Sequence, residues 1–490
     1  MSETNTTPQG VPVMTSKTFV KKGLFGRKKI FASVDAITPG NVSDVVENAY
    51  NTHLINRGEI EYLWRYFKGD QPSLYRKREL RDELTCKIVE NRANEIVSFK
   101  TGYLCGKPIT YVATVGDDGV SEAVNVLNDT MRRIGKPTKD KSLIEWCMIC
   151  GIGYRYVTQN NDPRIRSPFN VYTLDPHNTF VIRRNDYTEE VIAAVNYVTD
   201  DKGNVTFTIY TPDRVYTLLK GSGRPQKTTV NAFGAIPIIE YQNNNARQGA
   251  FEIVLSMLDA INDFDCARNE AVEQFVQSLL VLYNCNVEEG TTADTIRQAG
   301  MILLKSMNGE KADIKNLSEE LNQTQNQTLK DDMYQSVLQI VGVPSQSNGN
   351  TGDSSNNGAV ILRNGWQGAE TRAEAFEAMY QQPETEMLQV VAYICNSVKD
   401  GFYFDPADIE VKFTRRNYEN ILSKSQTLVT MLAQDKIHPK SAYEASGLFV
   451  DTDEAYKLGM EWYERILKEQ QEQMKQQMQN TEKVNADADE

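Results

Sequence analysis

The 490-residue sequence contains only three histidines, His53, His177 and His438, which lie far apart along the chain. It has no GxxxxGK[ST] phosphate loop, no HExxH pair and no GxSxG nucleophile elbow. Phosphate-loop ATP hydrolysis, zinc peptidase chemistry and elbow-type acyl transfer are therefore without their usual residues. No run of about eighteen uninterrupted apolar residues is present to span a bilayer. The opening MSETNTTPQGVPVMTSK lacks the apolar core of a signal peptide, so a chain soluble at synthesis is expected.

Cysteine is sparse and scattered. Cys86, Cys105, Cys147, Cys150, Cys266, Cys285 and Cys395 are odd in number, so at least one has no intrachain disulfide partner. That argues against a stapled secreted scaffold and for a reducing compartment. Cys147-Met148-Ile149-Cys150 is a lone CxxC in an apolar stretch with no second pair at finger spacing, which points to packing rather than zinc or redox chemistry. Basic excess is also lacking. The 53 Lys and Arg stand against 66 Asp and Glu, a net charge of −13, which argues against a protein that simply coats DNA. Lys17, Lys21, Lys22, Arg27, Lys28 and Lys29 form a local basic cluster near the start, either a flexible solvated arm or one that binds nucleic acid or a partner.

What is present is ordinary globular material, 40% hydrophobic, 24% charged and 9% aromatic, enough for two to four cores. Helical texture is expected over 41–67, capped by Asn41 or Ser43 and broken near Asn56-Arg57-Gly58, and again over 82–101, stopped by Gly106 and Pro108. Ile109 to Val112 reads as a strand. From Tyr154 to Tyr241 strand signals dominate (YRYV, NVYTL, TFVIR, VIAAVNYV, VTFTIYT, RVYTLL, IPIIEY), with Asp, Gly, Asn and Pro between them. Residues 250–283 contain no Pro or Gly and predict one helix of about 34 residues and about 50 Å. A mixed module follows at 286–322, with a strand candidate at Met301 to Leu304, and then a helix over 323–341.

Gly342-Val343-Pro344 ends that helix. The next fourteen residues, SQSNGNTGDSSNNG at 345–358, have no apolar side chain and nothing to bury in return for being ordered. They are either a plain surface connection or a mobile element presented to a ligand. A long helix bent at Gly365, Gly368 and Pro383 is expected over 359–398, a strand over 409–414, and helices over 418–433 and 453–479, ending in the acidic tail VNADADE. Glu252, Asp259, Asp263 and Glu270 follow steps of seven, four and seven, which places them on one helical face. That face is a solvated surface, a carboxylate-lined channel wall or, least in keeping with ligands strung along about 27 Å of one helix, a metal site.

Several blocks together resemble the portal proteins of tailed bacteriophages, particularly the branch found in long-tailed phages of Gram-positive bacteria. They are Tyr66-Phe67-Lys68-Gly69-Asp70-Gln71; Asn91 to Val97 running into Gly102-Tyr103-Leu104-Cys105-Gly106-Lys107-Pro108-Ile109-Thr110-Tyr111; Gly151-Ile152-Gly153-Tyr154; Asp175-Pro176; and Gly234 to Tyr241 with Asn243-Asn244, leading into Leu258 to Asn262. The resemblance implies an α+β portal fold. A mixed α/β wing would span 41–249 and 399–436, stem helices 250–285 and 323–344, and a small α/β clip 286–322. A tunnel loop would occupy 345–358, a kinked helix behind it 359–398, and a helical crown 437–480. A basic arm, 1–40, would precede these and a disordered tail, 481–490, would follow. Departures from the family are Asn357-Gly358, where it often has Ser-Gly, and a loose match from Ile437 onward.

The function implied is a non-enzymatic homo-oligomeric ring, usually dodecameric, at one capsid vertex, through which DNA is packaged and ejected. Its expected partners are its own copies, the terminase packaging motor, the head-to-tail connector, major capsid and scaffolding proteins, and double-stranded DNA held transiently and without sequence readout. No cofactor, metal, catalytic residue or membrane is implied, and the place is the virion, after assembly in the host cytoplasm. Asn348, Asn350, Asp353 and Asn356 would meet the duplex, Glu252, Asp259, Asp263 and Glu270 would line the wall, and Lys305, Lys311 and Lys315 of the clip would meet partner proteins. Twelve copies of −13 amount to about −156, a charge that repels a sliding polyanion. The alternatives are a phage-encoded metal-dependent nucleic-acid enzyme with unfamiliar motifs, or a host helical scaffold or secretion-ring component.

Overall fold

The computed structural model describes residues 24–77, 85–114, 118–160, 162, 164–276, 280–283, 285–286, 305–306, 313–316, 323–345, 365–398, 401–415, 421–449 and 452–486. The chain enters through a short strand, β1 (Phe31–Ala32), and a long helix, α1 (Val42–Phe67). Its buried residues, from Val42, Val45, Val46, Ala49 and Tyr50 through Ile60, Leu63, Tyr66 and Phe67, recur at helical spacing and form one face. The expected break at Asn56 to Gly58 does not occur. The Asn56 side chain accepts from the Lys28 backbone N–H at 2.9 Å and donates to the Lys28 carbonyl at 2.8 Å. A residue type that often ends helices is here occupied in pairing with another segment, and the helix runs through it.

That pairing also corrects the flexible arm expected over 1–40. From Leu24 the chain is packed: Arg27 and Ile30 are buried, and β1 joins a sheet. Residues 1–23 lie outside the described residues, and with them Lys17, Lys21 and Lys22.

Helices α2 (Arg92–Cys105), α3 (Asp118–Arg133) and α4 (Lys136–Cys150) follow, with β2 (Thr110–Ala113) after α2. Strands come next: β3 (Ile152–Gln159), β4 (Phe169–Leu174), β5 (Thr179–Arg184), β6 (Val191–Thr199), β7 (Val205–Tyr210), β8 (Arg214–Leu219), β9 (Lys227–Val230) and β10 (Ile238–Gln242). Two sheets result, β1-β5-β6-β7-β8-β9 and β10-β3-β4, antiparallel throughout except where β1 lies parallel to β5. In β7, Val205, Phe207 and Ile209 are buried while Thr206, Thr208 and Tyr210 are less so, the two-residue alternation of a strand with one covered face.

The first half of α1 covers the six-stranded sheet, and Val42, Val46 and Tyr50 join Phe180, Tyr197 and Phe207 in one core. Its second half enters a larger core with α2, α4, β3, β10 and the later helices. One helix therefore serves both cores. Cys147 and Cys150 are fully buried in the larger one, as packing residues.

The end of α4 meets the chain after β10 without side chains between them. Gly151 has φ +83°, and a Cβ there would lie 2.2 Å from the Arg247 carbonyl oxygen. Gly151→Ala is expected to lower stability by about 2 kcal/mol or more, from left-handed strain plus the clash. Gly203→Ala, at φ +82° with open space around its Cβ, is the comparison that carries strain alone. Urea midpoints of the two variants separate the contributions, and equal losses would refute the clash.

Beyond β10 a 3-10 turn (Glu252–Val254) leads into α5 (Leu255–Val276). The expected 34-residue helix is thus shorter at its far end, because Leu280–Tyr283 is a strand, β11. The apolar, β-branched character of Leu280-Val281-Leu282 suits both helix and strand. Pairing decides: β11 lies antiparallel to β14 (Asp313–Asn316), and a second pair joins β12 (Cys285–Asn286) to β13 (Lys305–Ser306). The strand candidate Met301 to Leu304 lies outside the described residues.

Helix α6 (Gln323–Val341) returns along α5, and α7 (Trp366–Ser397) begins behind Gly365. Residues 359–364 of the helix expected from 359 lie outside the described residues, and Pro383 sits inside α7 without ending it. The chain then sends β15 (Ile409–Lys412) back to pair antiparallel with β2. Helices α8 (Ile421–Leu432), α9 (Pro439–Ser446) and α10 (Thr452–Ala486) close the sequence, α9 packing against both neighbours. Helix α10 reaches Ala486, so the tail expected over 481–490 is helical for its first six residues.

The helix expected over 82–101 begins later. Asn91 caps α2 by accepting from the Asn94 N–H, and residues 85–91 have no regular structure. Their backbone instead runs along α5. The N–H groups of Cys86, Ile88 and Glu90 donate to Glu270 (3.0 Å), Cys266 Sγ (3.4 Å) and the Asn262 side chain (2.8 Å). Two residues of extended chain advance about 6.6 Å. Four residues of helix advance about 6 Å. The two repeats match closely enough for alternate N–H groups to meet successive turns.

Candidate functional site

The four carboxylates that share a face by spacing do not share an environment. Glu252 is 5% exposed and forms an ion pair with Arg27 at 2.7 Å. It also accepts from the Gly26 and Gly249 backbone N–H groups at 3.1 and 2.8 Å. Glu270 is 1% exposed and holds the Cys86 N–H. Both are corrected from channel wall to internal anchors, since each charge is turned into the protein to satisfy buried donors.

Asp259 and Asp263 differ. Asp259 is half-buried and accepts from the Tyr66 hydroxyl at 2.9 Å. Burial pushes its carboxyl up to about 6; the Tyr66 hydrogen bond opposes that rise and the charge of Asp263 adds to it. Asp263 is exposed, with Arg76 at 3.6 Å. Of the acidic stripe, these two alone bring charge toward solvent.

Asn348, Asn350, Asp353 and Asn356 lie outside the described residues, as does Lys311. Lys305 is placed by backbone register opposite Asn286 in the β12–β13 pair, and Lys315 opposite Val281 in β11–β14. The two lysines therefore fall on separate two-stranded units. Among the described residues no group of three or more His, Cys, Asp and Glu side chains is arranged to hold a metal ion. Among them, too, no helix is long and apolar enough to cross a membrane.

Among the described residues a dense cluster of charge is internal and has no short motif. Lys136, Asp140, Arg155 and Glu384 are each at most 1% exposed and join α4, β3 and α7. Lys136 reaches Asp140 at 2.8 Å and Glu384 at 2.9 Å, and Arg155 pairs with both acids. The hydroxyls of Tyr111 and Tyr241 each donate to Glu384 at 2.6 Å. A second cluster holds Glu240 between Arg183 and Arg247, with the Tyr154 hydroxyl donating at 2.8 Å. Sequence reasoning missed both. The available signal was a charged residue inside an otherwise apolar periodic run, as at Arg155 in YRYV and Glu240 in IPIIEY.

An α+β body, a helix pair leading into a small stranded module, and a long terminal helix make up the described fold. The model of the family described as "Phage portal protein, SPP1 Gp6-like" matches residues 48–477, and the chain belongs to that family. It is thereby a portal protein, the subunit of a ring at a capsid vertex, in a family that is structural rather than enzymatic. Among solved structures it is similar to a chain in "Neck of empty GTA particle computed with C6 symmetry", at 12% identity and a TM-score of 0.42, covering 73% of this chain and 90% of that one. It is also similar to a chain in "Neck of native GTA particle computed with C12 symmetry", at 13% identity and a TM-score of 0.43, covering 73% of this chain and 89% of that one. No curated protein matches the chain.

Proposed function

We propose that this portal subunit assembles as a dodecamer whose central channel passes double-stranded DNA during packaging and ejection. The observation that carries this reading is the family match over residues 48–477. The clip, 286–322, docks the terminase motor during packaging and the head-to-tail connector afterwards, using Lys305, Lys311 and Lys315. Capsid and scaffolding proteins meet the wing, and assembly takes place in the host cytoplasm before the ring becomes part of the virion. ATP hydrolysis belongs to the motor, and the portal itself catalyses nothing. Asn348, Asn350, Asp353 and Asn356 touch the duplex in passing, and Asp263 with Asp259 supplies the repulsive wall that Glu252 and Glu270 do not.

Electron microscopy of the purified full-length protein, with mass photometry on the same sample, tests this. Closed rings of twelve subunits with a hole of about 20 Å or more are the expected result. Monomers and dimers alone, across salt and concentration and with scaffold supplied, would overturn it.

Helix α10 offers a contact for ring closure in the proposed crown. Met460, Tyr463, Leu467 and Met474 follow steps of three, four and seven and are 37%, 56%, 37% and 58% exposed. That is the spacing of an apolar seam between packed helices. Tyr463→Glu with Leu467→Glu is expected to reduce the ring fraction about tenfold at fixed concentration, since burying even one such side chain is worth about 1.5–3 kcal/mol. Mass photometry reads the ratio, and an unchanged ring fraction would remove α10 from the interface.

A further inference from the structure

Where α6 ends and α7 begins, a cavity of about 200 Å³ opens between α2, α4 and α7, with Phe99, Tyr103, Met148 and Phe376 among its walls. Among the described residues its charged groups are Lys100 and Arg372, and both are cationic. Lys100 is half-buried and Arg372 exposed. Among the described residues neither has an acidic partner within ion-pair distance. Arg372 donates to the Gln339 carbonyl at 3.4 Å, a neutral acceptor. The nearby carboxylate of Glu370 is already engaged by Arg415 and by the Tyr103 hydroxyl. Burial draws the Lys100 ammonium down to about 8, and the charge of Arg372 acts in the same direction.

Two like charges beside an aromatic-walled cavity repel each other, and the half-buried Lys100 also loses hydration; an anion placed between them offsets both costs. The volume, at about 30 Å³ of liquid per water, holds about six waters, more room than a carboxylate on two methylenes needs. The walls suit methylenes, and the cations suit the carboxylate.

We propose that this cavity receives an acidic side chain from the neighbouring subunit, its carboxylate lying between Lys100 and Arg372 and its methylenes against Phe99 and Tyr103. This rests on the ring reading. A second copy of the chain is the occupant because each subunit in a ring meets an identical neighbour, and that neighbour carries 66 carboxylates against 53 cations. The charge of the cavity is the complement of the charge the chain has in excess.

Zero-length coupling tests the contact. Rings are assembled from equal amounts of light- and heavy-isotope subunits and treated with a water-soluble carbodiimide. The carbodiimide activates a carboxyl group and leaves as its urea, taking up the oxygen, while the Lys100 amine forms an amide and loses its proton. Mass spectrometry is expected to find the Lys100 peptide joined to an Asp or Glu peptide of the opposite label. Lys100→Arg keeps the charge and should abolish that product with rings intact, whereas Lys100→Met should lower the salt concentration at which rings dissociate.

Intact rings in which Lys100 couples only within one label, or remains as open to acylation as in the free subunit, would overturn the proposal. So would protection of Lys100 that appears only when inorganic phosphate or duplex DNA is added, since the occupant would then be a free or nucleic-acid anion. Absence of rings altogether would instead defeat the ring reading on which the proposal stands.

Discussion

Arg155→Met is expected to cost the fold about 3–5 kcal/mol, the usual penalty for removing one partner from a buried ion cluster. Arg155 is fully buried and bonds Glu384 at 3.1 and 3.3 Å as well as Asp140. Without it, two carboxylates face one ammonium, Lys136, in a site that water does not reach. The loss matters beyond its size, because Glu384 follows Pro383 in the middle of α7 and ties that helix to Tyr111, Tyr241 and Arg155. Urea unfolding of the full-length chain measures it. Arg155→Met combined with Glu384→Met, which removes one charge of each sign, should recover part of the loss. A single-variant cost below about 1 kcal/mol would show that the cluster contributes no more than a surface pair.

Acid should unfold the protein through Glu240 and Glu384 together. Burial on its own would raise the Glu240 carboxyl, but the charges of Arg247 and Arg183 and their hydrogen bonds outweigh it and hold it at about 2. Burial likewise opposes ionisation of Glu384, which Lys136 and then Arg155 hold well below the usual carboxylate range. A folded pKa below the unfolded one makes the unfolded chain bind protons first as pH falls. The stabilisation is therefore complete above the unfolded value of about 4.3 and is lost as pH falls toward 2. For Glu240 the difference corresponds to about 3 kcal/mol. Urea midpoints of the wild type should fall steeply over that window. Glu240→Gln should begin less stable and fall less steeply, and a slope as steep as wild type would show that Glu240 is not one of the groups being titrated.

Seven of the eight strands between Ile152 and Gln242 were legible because their signal is local: alternation within six or so residues, with Asp, Gly, Asn and Pro between; β9, the short polar Lys227–Val230, carries no such signal. The helix over Gln323–Val341 was legible for the same reason, with Gly342 at its end. The helices Asp118–Arg133 and Lys136–Cys150 were not foreseen, and much of what else failed depended on partners distant in sequence. Leu280–Tyr283 becomes a strand because Asp313–Asn316 is beside it, and residues 86–90 stay extended because Asn262, Cys266 and Glu270 receive their N–H groups. Asn56 does not break α1 because Lys28 occupies its amide. Spacing alone placed Glu252 and Glu270 with Asp259 and Asp263. It carries no information about Arg27, Gly26, Gly249 or Cys86, which turn the first two inward. The family was readable from short blocks in order, and one of them, Gly151-Ile152-Gly153-Tyr154, has its physical reason in the side-chain-free approach of Arg247 to Gly151.

The three-point attachment of residues 86–90 to α5 acts as a vernier. Because the spacing of alternate N–H groups nearly equals four residues of helix, α5 is commensurate with the strip of backbone laid along it. A slide by a fraction of a turn would break all three bonds at once and offer no new acceptors in register. Successive acceptors are four residues apart, so α5 would have to slide about 6 Å before a carboxylate, thiol or amide side chain again faced these N–H groups. Three bonds at matched spacing thus hold α5 to the segment that leads to α2 along its axis as well as across it.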